Sequence, residues 1–130
     1  MATVLIVDDD NFVRVLLRDA IGDGHRVLES VNGAEAIATI ERGEKPEVVF
    51  LDLLMPVKSG LETLPELRRL CPTARVVVVS SMETDSMVKS AYDAGASGFV
   101  AKPFHPAEIV AALKRALGAG PASGGGATGV

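Results

Sequence analysis

Short runs of β-branched residues alternate along the chain with longer stretches whose apolar positions recur at helical spacing. Thr3–Val7 is almost wholly apolar, without polar alternation, as in a strand buried on both faces. Asn11–Ile21 places Phe12, Val15, Leu16 and Ala20 on a helical stripe, and Gly22 and Gly24 mark its end. Arg26–Glu29 predicts a short, weaker strand. Gly33–Arg42 predicts a helix with Ala34, Ile37, Ala38 and Ile40 on one stripe, closed by Gly43. Val48–Leu51 is the next strand, followed by a loop containing Pro56 and Gly60. Leu61–Leu70 reads as a helix in which Pro65 is tolerable near the first turn. The rest predicts a strand over Arg75–Val79, a helix over Asp85–Ala94 closed by Gly95, and a strand over Gly98–Ala101. A helix over Pro106–Leu117 follows, with Pro106 suited to a first helical position.

Five β–α units without consecutive strands predict an α/β domain with helices on both faces of a parallel sheet. Right-handed crossovers then favour a single doubly wound (βα)5 flavodoxin-like domain, its five strands in the order 2-1-3-4-5. A Rossmann half is the alternative. The last residues, GAGPASGGGATGV, have no periodicity and little side-chain volume to bury. The expected organisation is therefore a domain over 1–118 and a flexible Gly/Ala/Ser-rich tail or linker over 119–130. There is no internal repeat.

Composition narrows the function. The chain of 130 residues is 48% apolar and 23% charged, as in ordinary globular domains. Cys71 is the single cysteine, so neither an intrachain disulfide nor a cysteine-built zinc site can form. No apolar run approaches the roughly 20 residues that span a bilayer. The amino terminus reaches three aspartates by residue 10 without a basic segment, unlike a signal peptide. A cytoplasmic location without membrane attachment is the expectation. The net charge of −4, the lack of any Lys/Arg-rich block and the absence of Trp argue against a nucleic-acid groove.

The acidic excess becomes informative when placed on the predicted strands. In open α/β sheets, ligands gather beyond the carboxyl ends of the strands. Strand 1 ends in Asp8, Asp9 and Asp10, strand 3 in Asp52, strand 4 in Ser80 and Ser81, and strand 5 in Lys102. These strands are neighbours in the 2-1-3-4-5 order, so the groups are expected on one rim; strand 2 adds no comparable group. Asp8, Asp9 and Asp52 side by side repel one another unless a cation neutralises them. Mg²⁺ does so naturally, taking one or two carboxylates with water and phosphate oxygens. With Lys102 as a point charge and Ser80 as a hydroxyl donor, the set predicts phosphoryl transfer to an aspartate, forming an acyl phosphate. Other polar residues have plainer readings. Asp10 or Asn11 can cap the first helix, a strand-end Ser80 alone would merely satisfy a backbone group, and Cys71, His25 and His105 read as packing or surface residues.

With these residues in place, the sequence resembles the receiver domain of two-component response regulators, of the chemotaxis-regulator type. The resemblance rests on VLIVDDDNFVR (4–14), VVFLDLLMPVKSG (48–60), VVVVSS (76–81), DAGASGFVAKPF (93–104) and the final helix, and covers about residues 3–117. The spacings also fit: 43 residues from Asp9 to Asp52, 28 to Ser80 and 22 to Lys102. The resemblance implies Asp52 as phosphoacceptor, with Asp8 and Asp9 positioning Mg²⁺ and the main-chain carbonyl of Leu54 as a third protein ligand. Ser80 and Lys102 would hold the phosphoryl oxygens, Phe99 would be the aromatic switch with Ser80, and Lys102–Pro103 would be a cis peptide. Phe99 is equally a core aromatic by default. The implied donor is a sensor histidine kinase or phosphotransfer protein carrying phosphohistidine. The implied output is a downstream protein reading the face of helix 4, strand 5 and helix 5, with a homodimer through that face also possible. On this reading the chain is a regulatory phosphoacceptor, not an enzyme acting on an external substrate, and binds no DNA directly.

Four positions depart from the common pattern. Ser80 stands in place of threonine, Phe99 in place of the frequent tyrosine, and the apolar Leu54 and Met82 are expected to hinder an in-line water and lengthen the life of the acyl phosphate. Three other readings compete. A flavin-binding flavodoxin-like protein would need a phosphate cradle where this chain has three aspartates. A haloacid-dehalogenase-type phosphatase would use Asp8-x-Asp10, but Phe12 departs from its motif. A receiver-fold scaffold would bind partners without phosphorylation.

Overall fold

The computed structural model describes residues 1–81 and 84–118. Its elements alternate strictly: β1 (Thr3–Val7), α1 (Asn11–Ile21), β2 (Arg26–Ser30), α2 (Gly33–Glu41), β3 (Val48–Leu51), α3 (Gly60–Leu70), β4 (Arg75–Ser80), α4 (Asp85–Asp93), β5 (Gly98–Ala101) and α5 (Pro106–Gly118). The strands form one parallel sheet in the order β2-β1-β3-β4-β5, the flavodoxin-like arrangement expected from the sequence. The tail predicted over 119–130 lies outside the described residues.

Alternation along the buried strands divides the core in two. Leu5, Val7, Val49, Leu51, Val76 and Val78 face α2, α3 and α4. Val4, Ile6, Val48, Phe50, Val77 and Val79 face α1 and α5. Because successive side chains point to opposite faces, strands with helices on both sides must be apolar at every position. The central strands meet this condition: β3 is buried throughout, and β1 and β4 at all but their first residues.

Capping residues set the helix starts. Asp10 Oδ1 accepts from the Phe12 and Val13 amides at 2.8 and 3.4 Å, resolving the Asp10/Asn11 choice in favour of Asp10 as N-cap. Ser59 and Glu62 form a reciprocal capping box at α3. At the other end of α1, Gly22 takes φ 79°, a conformation readily adopted by glycine. Pro65 differs from expectation. It is the sixth residue of α3 and so lies in the second turn. The helix tolerates it because Pro65 sits on the exposed face, where water can replace the N–H it lacks.

Candidate functional site

Strand register brings the polar residues together. Val7 pairs with Leu51 across β1 and β3, and Ser80 with Ala101 across β4 and β5. The next residues, Asp8, Asp52 and Lys102, therefore emerge side by side from the carboxyl edge of the sheet. Backbone hydrogen bonds extend the ladder past the strand ends: the Asp52 amide donates to Val7 O at 2.9 Å, and the Lys102 amide to Ser80 O at 3.0 Å.

Asp8, Asp9 and Asp52 each offer a carboxylate oxygen within 4.8 Å of the others. Asp8 and Asp52 are buried, whereas Asp9 is exposed. The Lys102 ammonium donates to Asp8 Oδ2 at 2.8 Å and stands 3.6 Å from Asp52 Oδ1. The Leu54 amide donates to Asp52 Oδ1 at 3.3 Å, placing that peptide beside the cluster. Ser80 is buried at the end of β4. The loop bearing Asp8 is internally braced, its Asp10 amide donating to Asp8 Oδ1 at 2.9 Å.

Burial and mutual repulsion set the electrostatics of the cluster. Burial pushes the Asp52 carboxyl up to about 6, and the neighbouring Asp8 charge adds to the rise against the opposing pull of Lys102. Burial alone would depress the Lys102 ammonium, but the hydrogen bond to Asp8 and the charge of Asp52 hold it above its ordinary value. Three hard carboxylate oxygens facing one space form a donor set that suits Mg²⁺.

The other residues singled out in the sequence lie around this centre. Phe99 is partly buried against the α2–α3–α4 side of the core, and the Lys102–Pro103 peptide is cis. The Leu54 side chain is 52% exposed at the rim, and Met82 lies outside the described residues. Cys71 is a buried free thiol whose Sγ lies 3.7 Å from Pro46 O. His25 Nδ1 accepts from the Ala2 amide at 3.1 Å, across the sheet from the acidic edge.

Two supporting contacts were not anticipated. Gly60, the first residue of α3, lies against the backbone of Asp52, where a Cβ would stand 1.9 Å from Asp52 O. From the sequence, Gly60 reads only as part of the loop that also contains Pro56. The second is Arg14, whose guanidinium donates to Asp8 O at 2.7 Å. It is part of the quoted motif, yet nothing in helical periodicity separates it from a solvated arginine. Among the described residues, no helix is long and apolar enough to cross a membrane.

Comparison with known proteins agrees with this geometry. Residues 4–114 match the family model of the response regulator receiver domain. The chemotaxis protein CheY of Thermotoga maritima is 40% identical over 114 residues, covering 86% of this chain and 94% of its own. Among solved structures, the BeF3-activated DrrB receiver domain superposes with a TM-score of 0.82 at 28% identity, covering 90% of this chain and 97% of its own. The chemotaxis protein CheY4 of Vibrio cholerae gives 0.82 at 27% identity, with coverage of 89% and 98%. With nearly the whole described chain matched in sequence and in fold, the protein belongs to the receiver-domain family of two-component response regulators.

Proposed function

We propose that the chain is a phosphorylation-activated switch that accepts a phosphoryl group on Asp52 from a phosphohistidine-bearing kinase or phosphotransfer protein. One observation carries this reading: Asp8, Asp9 and Asp52 converge beside Lys102 on a single edge of the sheet. Asp8, Asp9, Asp52 and the Leu54 carbonyl would hold Mg²⁺. When bound, the ion neutralises the cluster and the charge developing on the transferred group.

The chain's own residues do the rest. An Asp52 carboxylate oxygen attacks phosphorus, forming an O–P bond as the donor's P–N bond breaks. That electron pair returns to the donor imidazole, which takes up a proton. The Lys102 ammonium, already between Asp8 and Asp52, is placed to hold a phosphoryl oxygen, and the Ser80 hydroxyl holds another. Drawing Ser80 toward the phosphoryl group leaves room for Phe99 to turn inward, reshaping the α4–β5–α5 face. This is a two-state equilibrium biased by one local change of charge. A downstream protein or a second copy of the chain reads that face. Residues 1–118 form the switch and 119–130 the tail, and the protein works in the cytoplasm as a regulatory phosphoacceptor.

The test is labelling by a small acyl phosphate donor. Label is expected with Mg²⁺ and not with chelator, and Asp52→Asn is expected to abolish it. A folded wild-type chain that takes no label under these conditions would support a scaffold working without phosphorylation.

A further inference from the structure

The loop carrying Asp8 and Asp9 is gripped from α1. Arg14 lies in the first turns of that helix, its side chain only 12% exposed. Its planar fork spreads over three partners. Nη1 donates to the main-chain carbonyl of Asp8 at 2.7 Å, Nε to Glu29 Oε1 at 2.8 Å, and Nη2 to Asn11 Oδ1 at 3.1 Å. The other Glu29 oxygen accepts from Arg18 Nε and Nη2 at 2.9 and 2.7 Å. Burial raises the Glu29 carboxyl, but the hydrogen bonds from Arg18 and Arg14 outweigh it and hold the group below its ordinary value.

The Asp8 peptide is thus fixed on both sides, its amide donating to Ser30 O at 3.1 Å and its carbonyl accepting from Arg14. Both anchors lead back to β2, one directly and one through Glu29. A strand that supplies no carboxylate to the cluster therefore braces the loop that supplies two. We infer that Arg14 is a positioning residue for the acidic cluster, clamping the Asp8 carbonyl and so setting where the Asp8 and Asp9 carboxylates stand relative to Asp52. This rests on the magnesium reading above.

Geometry and simple Coulomb repulsion give opposite signs here. Removing a cation near a metal site should tighten Mg²⁺ binding through charge alone. Releasing the loop should weaken it, and lost outer contacts typically reduce metal affinity by about 10–100-fold.

The experiment is calorimetric titration of the full chain with Mg²⁺ for wild type, Arg14→Met, Arg14→Lys and Arg18→Met, with amide exchange followed in the metal-free proteins. Arg14→Met is expected to bind at least about tenfold more weakly and to speed exchange of the Asp10 amide, which is bonded to Asp8 Oδ1. Arg14→Lys keeps the charge but loses the fork, so weakening of a few fold is expected, and this arm decides the matter should the methionine variant fail to fold. Arg18→Met removes a cation from the same Glu29 without touching Asp8 and is expected to leave Mg²⁺ affinity within about twofold of wild type, since it releases no outer contact of the cluster. Either Arg14 variant binding as tightly as wild type, or more tightly, would overturn the inference. A wild-type chain that binds no Mg²⁺ would overturn it together with the magnesium reading, so the two failures are told apart.

Discussion

Lys102 and Asp8 stand 94 residues apart in sequence, yet the ammonium of one lies 2.8 Å from a carboxylate oxygen of the other. The contact depends on the sheet order, because β5 and β1 reach the same edge only through the register of β3 and β4. Without a metal, Lys102 is the nearest counter-charge to the buried Asp8 and Asp52.

On the magnesium reading, Lys102 and a divalent cation would share the same carboxylates and compete for them. Lys102→Met is expected to bind Mg²⁺ several-fold more tightly than wild type while taking label from a small phosphodonor far more slowly. Calorimetry and a labelling time course check the two halves separately. Unchanged affinity would mean that the ammonium does not compete.

The Asp52 carboxyl gives the metal-free protein a defined pH response. Its value of about 6 lies above the ordinary 3.8, so between these values the folded chain holds a proton that the unfolded chain releases. The Asp52 contribution to stability is then fully present below pH 4 and is lost as pH rises through 6. Asp52→Asn removes the burden of a buried charge and is expected to stabilise the metal-free protein at pH 7 by roughly 1–3 kcal/mol. That difference should vanish below pH 4. Urea unfolding in chelator at pH 4 and pH 7 measures it, and added Mg²⁺ should narrow the gap by stabilising the folded wild type.

Gly60→Ala tests the contact between α3 and the acceptor strand. The new Cβ would meet Asp52 O at 1.9 Å and Leu53 Cα at 2.7 Å, both backbone atoms that cannot swing aside. A loss of roughly 2–3 kcal/mol in urea unfolding is expected. Slower labelling should accompany it, because relieving the clash displaces the residue that carries the acceptor.

If Asp52 is phosphorylated as proposed, Leu54 is expected to set the lifetime of the acyl phosphate. It projects at the rim two residues beyond Asp52 and offers no polar atom to orient an attacking water. Leu54→Asn supplies one and is expected to speed loss of label from Asp52 several-fold at neutral pH. Decay of the labelled protein after donor removal gives the rate.

Much of this was legible in the sequence for an identifiable reason. Continuous apolar runs such as Val48–Leu51 and Val76–Val79 mark strands buried on both faces, and those strands end in Asp52 and Ser80. The carboxyl-edge rule then brings Asp8, Asp52 and Lys102 together without reference to side-chain detail. The contacts that hold the cluster are less legible. Arg14 acts through the carbonyl of Asp8, and any residue type would present a carbonyl there. Gly60 is required because α3 starts against the backbone of Asp52 and Leu53, an approach across a short loop that hydrophobic periodicity does not record. Glu29 matters because β2 happens to face α1 at that register, and its own strand reads as a weak edge element.

The two halves of the core have a further consequence. Phe12, Leu16, Pro103 and Phe104 line a groove of about 310 Å³ beside Lys102, on the side where α1 and α5 cover the sheet. Phe99 packs on the opposite side, among residues of α2, α3 and α4. A partner seated in the groove would touch the α1 side of the sheet, whereas Phe99 lies on the α2–α3–α4 side. Phe12→Ala is expected to weaken association with a partner seated in the groove while leaving the packing around Phe99 unchanged.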